Sequence, residues 1–482
     1  FVSPLWLAIP VANRLGGLLT AAMRFFGIGR AGMAARSRRP RGLMAVRIGL
    51  TCYDWLAGRN SLRTHQVSAL GTGRKSDDVV VPDVDQKMFR WVCGYSDAQM
   101  LYPERFVLAL LSDSKRAAPV TGAALVLRTW SRVSRNGSRF HIVDRAGHGE
   151  TIQPSLVVNA TGAWGDLTLA SLNVEEQRLF AGTKGSHLFS RHAGLRERMR
   201  GAGIYAEAPD GRLVFILPCG AGTLIGTTDL PFAGRPETAS ADQDEVLYLL
   251  EMVNSVFESI TLDVSDVEMR YAGVRPLPCV EASVTSAIPR GHAIHVTRQA
   301  ELQILTLTGG KLTTCRALAQ EVTDRVLAAR GQPRSVQTHS RIVPGGCQWP
   351  QSETDVHRRK RELAEKYGLN DSQVSAVWQL VGNRFSEIFE VDSSGTPRPS
   401  LSGTSLPLEF VRWSILNEDC QTLEDLIERR LMLTFASGLT QATLRELAEE
   451  LVHAGLLDGN AIESRIDEVV ARLRDYHGIS VN

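Results

Sequence analysis

Residues 301–330, ELQILTLTGGKLTTCRALAQEVTDRVLAAR, carry the clearest fold signal in the chain. The alternating text up to Thr308 predicts a strand, Gly309-Gly310 a turn, and the remainder a long helix of period 3.6. A glycine turn lets backbone approach a ligand closely, and the helix start offers unpaired N–H groups and the positive end of its dipole to an anion. Lys311, Thr313 and Thr314 on the first turn suit a phosphate or a reduced, anionic cofactor ring. An ordinary strand-to-helix turn with a capping threonine would use the same letters.

GIGRAG, residues 27–32, matches G-x-G-x-x-G but fails that context. In RLGGLLTAAMRFF, apolar residues from Leu15 to Phe26 recur at helical spacing, so the glycines follow a helix rather than a strand. A dinucleotide fingerprint needs a strand before it, and Gly27 reads better as a helix stop. Asp54, at the right distance to bind a ribose, falls in helical-looking IGLTCYDWLAG and loses that role.

Elsewhere, SRFHIVD (138–144) alternates, and SLVVNATG (155–162) reads as a buried strand running into a small-residue turn. RLVFILP (212–218) and TLIGTTD (223–229), joined by CGAG, predict a hairpin. Pro333, Pro344 and adjacent glycines mark a linker over 331–350. Beyond it HRRKRELAEKYG, DSQVSAVWQLVG, TLEDLIERRLML, TQATLRELAEELVHAG and AIESRIDEVVARLRDY all have helical period, divided by a loose stretch at 393–405. The expectation is an α/β region followed by an all-α region.

Composition excludes several classes. At 482 residues the chain exceeds one core, and 43% hydrophobic with 22% charged residues is ordinary for a globular protein. Residues 1–53 hold eight arginines and no acid; taken from the net charge of +2, they leave −6 for the rest. Such a segment suits anionic lipid, nucleic acid, a transit role or a solvated face. Seven scattered cysteines without C-x-x-C fit a reducing compartment and no zinc site. No HExxH, GxSxG or GxxxxGK[ST] occurs, and 6% aromatics not interleaved with the basic run argue against nucleic acid. No uncharged apolar run reaches the roughly 18 residues that span a bilayer.

Three further residues could do chemistry. Arg275, in YAGVRPLP, precedes Pro276, which stiffens the backbone presenting a guanidinium suited to phosphate or carboxylate. On spacing alone a surface salt bridge is the better explanation, and the same holds for Arg290 in SAIPRGHAIHV. His187, in TKGSHLF, could be a general base or a half-buried structural histidine.

In order, NATGAWGD, GTKGSH, DGRLVFILP, LIGTTD, YAGVRPL and TGGKLTTCRALA resemble the FAD-dependent glycerol-3-phosphate dehydrogenases, aerobic membrane-associated flavoenzymes. RIGLTCYDWLAGRNSL (47–62) and TLEDLIERRLML extend the resemblance over most of the chain from residue 47. It implies a Rossmann-like FAD-binding domain of the glutathione-reductase or D-amino-acid-oxidase type, an antiparallel-sheet substrate domain and a C-terminal helical domain. The corresponding division is 1–165 and 291–340 for the FAD domain, 166–290 for the substrate domain and 341–482 for the helical domain. Gly162, Trp164, Gly309, Gly310, Lys311, Leu312 and Thr313 match positions against FAD. Arg275 matches the family's substrate arginine, Arg290 stands where a second one occurs, and His187 matches a histidine on the substrate side.

The reaction so implied oxidises sn-glycerol 3-phosphate to dihydroxyacetone phosphate. The two arginines bind the phosphate, His187 takes the C2 hydroxyl proton, and Lys311 balances charge on the reduced flavin. Electrons pass to a membrane quinone, with the chain peripheral on the cytoplasmic side of the inner membrane against anionic lipid; a homodimer is compatible with this. The family's opening strand, G-x-G-x-x-G and helix are not found ahead of Phe1. The chain is therefore expected to be a piece of a longer protein or a degenerate relative, holding FAD poorly by itself. A soluble oxidase using dioxygen, an amino-acid oxidase of the same fold and an inactive remnant are the alternatives.

Overall fold

The computed structural model describes residues 2–15, 41–58, 62–71, 80–208, 212–279, 291–299, 302–392 and 398–481. GIGRAG, nearly all of the stripe before it, and Arg290 lie outside them. In chain order the first elements are β1 (Val2–Val11), α1 (Leu43–Ala57), β2 (Gln66–Ala69), β3 (Trp91–Met100) and α2 (Pro103–Val120). Then come β4 (Arg132–Asn136), β5 (Arg139–Val143), β6 (Gly149–Ile152), β7 (Leu156–Asn159), α3 (Gly165–Ser171), β8 (Phe180–Ser190) and α4 (Ala193–Met199). β9 (Gly203–Glu207), β10 (Leu213–Cys219), β11 (Gly222–Gly226), β12 (Leu230–Pro231), α5 (Gln243–Val256) and β13 (Met269–Pro278) follow. β14 (Ala293–Gln299), β15 (Leu302–Thr308) and α6 (Cys315–Ala329) complete the α/β part.

The predicted hairpin is β10–β11, paired from Cys219↔Gly222 to Phe215↔Gly226. It sits in a nine-stranded sheet ordered β12-β8-β11-β10-β9-β1-β3-β2, with β13 along the other side of β8. Pairing in this sheet is antiparallel except between β1 and β9. Strands from residues 2–100 therefore share hydrogen bonds with those from 180–278, across the division expected at 165. β1 is covered on both faces: Leu5, Leu7 and Val11 pack with Leu43 and Leu50 of α1, while Ala8 joins the larger core. In that core Leu188, Ile204, Ile216 and Ile225 meet Leu249, Val253 and Val256 of α5. One face of β8 is thus closed by a helix, and on the other Phe189 packs with Cys219 and Met269.

The strand, turn and helix expected at 301–330 are β15, the 309–314 turn and α6. β15 runs parallel to β7, with Gln303↔Leu156 through Thr306↔Asn159, and antiparallel to β14. The double-glycine turn and the NATG turn accordingly leave the same end of two neighbouring strands.

Residues 331–350 form no helix or strand. The helical region comprises α7 (Glu353–Tyr367), α8 (Asp371–Val381), α9 (Leu408–Asn417), α10 (Gln441–His453) and α11 (Ile462–Arg472). TLEDLIERRLML departs from the expected 3.6 period: Asp425–Arg430 is a π-helix, as is Leu473–His477. The wider turn is drawn by contacts five residues apart, Leu431 N–H to Leu426 O (2.8 Å) and Arg430 Nη1 to Asp425 Oδ1 (3.4 Å), with five of the six residues buried. Arg105 of α2, 1% exposed, reaches into this region. It donates to both Glu418 oxygens (2.6 and 2.7 Å) and to the carbonyls of Leu380 and Arg430.

Candidate active site

Side chains alternate across a strand, so FAGTKGSHLFS divides β8 into two sets. Thr183, Gly185 and His187 share one face, and Lys184, Ser186 and Leu188 the other. Opposite residues of an antiparallel pair point the same way. Tyr271↔His187 and Arg275↔Thr183 of β13 therefore bring Tyr271 and Arg275 to the His187 face.

The His187 ring stacks on Tyr271, centroids 4.8 Å apart at 10°. Its Nδ1 is buried and without a hydrogen-bond partner among the described residues. Burial, with a smaller contribution from the Arg275 charge, pushes its pKa from 6.5 down to about 4. At neutral pH the ring is uncharged.

Arg275 is held by three acceptors: Asp229 Oδ1 (3.1 Å), Thr227 Oγ1 (3.0 Å) and the Thr228 carbonyl (3.3 Å). The space it fills exists because residue 185 is glycine, where a Cβ would stand 2.3 Å from Nη2. The next residue, Pro276, accepts a hydrogen bond at 2.7 Å from Gly309 N–H. Strand β13 is thereby tied to the double-glycine turn.

That turn needs its glycines: Gly309 and Gly310 have φ of 68° and 90°, which side chains disfavour. Lys311, Leu312 and Thr313 follow with exposed side chains. At the neighbouring NATG turn, Asn159 Nδ2 bonds Gly165 O (3.1 Å) and its Oδ1 accepts from Thr161 Oγ1 (2.7 Å). Open space lies beside Gly162, and Trp164, 43% exposed, donates its Nε1–H to Glu237 at 2.8 Å. The 162–164 turn packs against β13.

The structure thus gathers His187, Arg275, the 162–164 turn and the 309–313 turn around β13. Asp54 stays apart, paired with His65 Nδ1 at 2.6 Å. Tyr271, Thr227 and Asp229 were not singled out from sequence. The only local signal for them was their place in YAGVRPL and LIGTTD, because strand register decides what each faces.

A family model described as FAD dependent oxidoreductase matches residues 64–325, more than half of the chain. Similar proteins include a glycerol-3-phosphate dehydrogenase from Synechocystis sp., 27% identical over 83% of this chain and 73% of its own. A D-erythritol 1-phosphate dehydrogenase from Brucella abortus is 28% identical over 82% of this chain and 76% of its own. The solved glycerol-3-phosphate dehydrogenase from Bacillus halodurans, complexed with FAD, superposes with a TM-score of 0.68 at 19% identity, covering 98% of this chain and 82% of that one. With the paired parallel strands and the turns at their shared end, the match identifies the chain as a member of the FAD-dependent oxidoreductase family, an enzyme class whose cofactor is FAD.

Proposed function

We propose that the chain oxidises the secondary alcohol of sn-glycerol 3-phosphate to give dihydroxyacetone phosphate. The residues present fit FAD: two turns leave the carboxyl ends of adjacent parallel strands, where open α/β sheets bind ligands, and open space lies beside Gly162. Gly162, Trp164, Gly309, Gly310, Lys311, Leu312 and Thr313 would hold the cofactor. Bound there, FAD supplies a hydride acceptor.

The chain's own residues do the rest. Arg275 binds the phosphate and fixes the substrate's position; Arg290 is proposed as a second phosphate ligand. His187, neutral at physiological pH, receives the hydroxyl proton on its ring nitrogen, and Tyr271 holds the ring plane. Lys311 places a positive charge at the double-glycine turn. The observation that carries this reading is the presence of Arg275 and His187 on one face of the β8–β13 pair, with Gly309 bonded to Pro276. The erythritol-phosphate relative makes a longer polyol phosphate the competing substrate. Comparing kcat/KM for sn-glycerol 3-phosphate, D-erythritol 1-phosphate and glycerol decides between them, with a substantial preference for the first expected.

The acceptor in this reading is a membrane quinone rather than dioxygen. Among the described residues no helix is long and apolar enough to cross a membrane. α1 does present Ile48, Trp55 and Leu56 at 53, 80 and 76% exposure, together with exposed Arg47. An apolar outer face beside an acid-free segment with eight arginines suits an anionic lipid surface, each nearby charge adding about 1 kcal/mol. Cosedimentation with phosphatidylserine vesicles at low salt supports this, and absence from the pellet contradicts it. The divisions near residues 290 and 340, and a homodimer, belong to the same proposal, while the division near 165 runs through a sheet with strands from both sides.

A further inference from the structure

The face of β8 turned away from His187 carries a buried Lys184–Glu245 ion pair, joined at its rim by the half-exposed Asp242, that takes no part in the proposed reaction. Lys184, 8% exposed, donates to Ser240 O (3.0 Å) and Asp242 Oδ2 (2.9 Å) and pairs with Glu245 Oε2 (2.7 Å). Three acceptors match the three donors of its ammonium. Burial lowers its pKa, but Glu245 and Asp242 outweigh that and the net shift is upward. Glu245, 3% exposed, accepts the Asp242 N–H at the start of α5 with one oxygen (3.2 Å) and Thr228 Oγ1 with the other (2.6 Å).

Thr228 is the link through the sheet. Its Oγ1 accepts from Ser186 N–H (2.8 Å), and its carbonyl accepts from both Arg275 Nη2 (3.3 Å) and Thr227 Oγ1 (3.0 Å). Thr227 Oγ1 accepts from the same Nη2 at 3.0 Å, and Asp229 holds Nη1. A path of polar contacts therefore runs from Lys184 through Glu245 to the Thr228 hydroxyl and, across the covalent frame of Thr228, from its carbonyl to the guanidinium. Well-packed apolar side chains could often replace a buried ion pair without loss of stability, so stability is a weak reason to place charges here. What the charges add is a fixed direction for the Thr228 hydroxyl, and with it a fixed backbone for residues 227–229.

We propose that Lys184 and Glu245 are positioning residues for Arg275, acting through Thr228 to set phosphate binding on one face of the sheet from the other. This rests on the reading of Arg275 as the phosphate-binding group. The test uses FAD-loaded protein and the calorimetric Kd for sn-glycerol 3-phosphate, with melting temperature and flavin absorbance recorded for each variant. Thr228→Val, which keeps shape and removes the hydroxyl, is expected to weaken binding about tenfold, as is Glu245→Gln. Thr228→Ser restores it. In an Arg275→Met background the same changes are expected to cost less than about twofold, because they act through the missing group.

An unchanged Kd in Thr228→Val, with weakened binding in Arg275→Met, overturns the positioning role alone. So does a full tenfold loss in the Arg275→Met background, which marks a merely structural effect. An unchanged Kd in Arg275→Met overturns the reading on which the proposal rests. Should Glu245→Gln not fold, the Thr228 pair of variants carries the test.

Discussion

Gly226 lies directly across the ladder from His187, and a Cβ on it would stand 2.4 Å from the imidazole Cδ2. The ring's position against Tyr271 therefore depends on a missing side chain in β11. Gly226→Ala should tilt the ring off Tyr271 and lower kcat by at least about tenfold, since small misplacements of a reacting group are costly. Overpacking should also cost about 1–3 kcal/mol of stability. Steady-state kinetics and urea unfolding of the same preparation check both, and a fully active variant would remove His187 from the chemistry.

His187 also makes a prediction about pH. Its pKa is about 4 when folded and near 6.5 when the ring is free, so between those values the unfolded chain binds more protons. Stability is fully present above about pH 6.5 and falls as pH drops toward 4, on the order of 3 kcal/mol in total. His187→Asn should flatten that part of the pH dependence. If His187 is the base, the acid limb of kcat/KM for the free enzyme should lie near pH 4, and an acid limb at 6.5 would contradict the burial that shifts it.

Arg105 and Glu418 form a bidentate pair with side chains 1 and 5% exposed, joining α2 to the helical region. Arg105→Ala leaves a buried carboxylate without its partner and should destabilise by about 3–5 kcal/mol. Arg105→Met combined with Glu418→Leu should recover much of that loss. Denaturant unfolding of the three proteins measures the difference, and equal loss in single and double variants would contradict an ion-pair origin.

Local pattern was enough for the β10–β11 hairpin, for β15 with its turn and helix, and for the helices beyond 350, because each is specified by adjacent residues. β1 was obscured by Pro4 and Pro10, which argue against a central strand; the structure accommodates them because β9 pairs only Leu7 and Ala8. Arg105 gave no signal, since its partner Glu418 is 313 residues away. The π turns at 425–430 depend on contacts five residues apart and on burial, neither of which a 3.6-residue pattern reports. Within the proposed site, the glycine turn carried a local signal, whereas Arg275 read as a surface salt-bridge residue until the family resemblance singled it out. Tyr271, Thr227 and Asp229 needed the register of β13 and β11 against β8, a product of long-range pairing.

Anaerobic mixing of the FAD-loaded protein with sn-glycerol 3-phosphate, with oxidised-flavin absorbance followed, tests the proposed oxidation directly. Loss of that absorbance is expected with the phosphorylated polyol and not with glycerol. In Arg275→Met it should need at least about tenfold more substrate, the loss of a charge-assisted contact to phosphate. Flavin that stays oxidised with sn-glycerol 3-phosphate, or that glycerol reduces equally well, would exclude the proposed phosphate-directed oxidation.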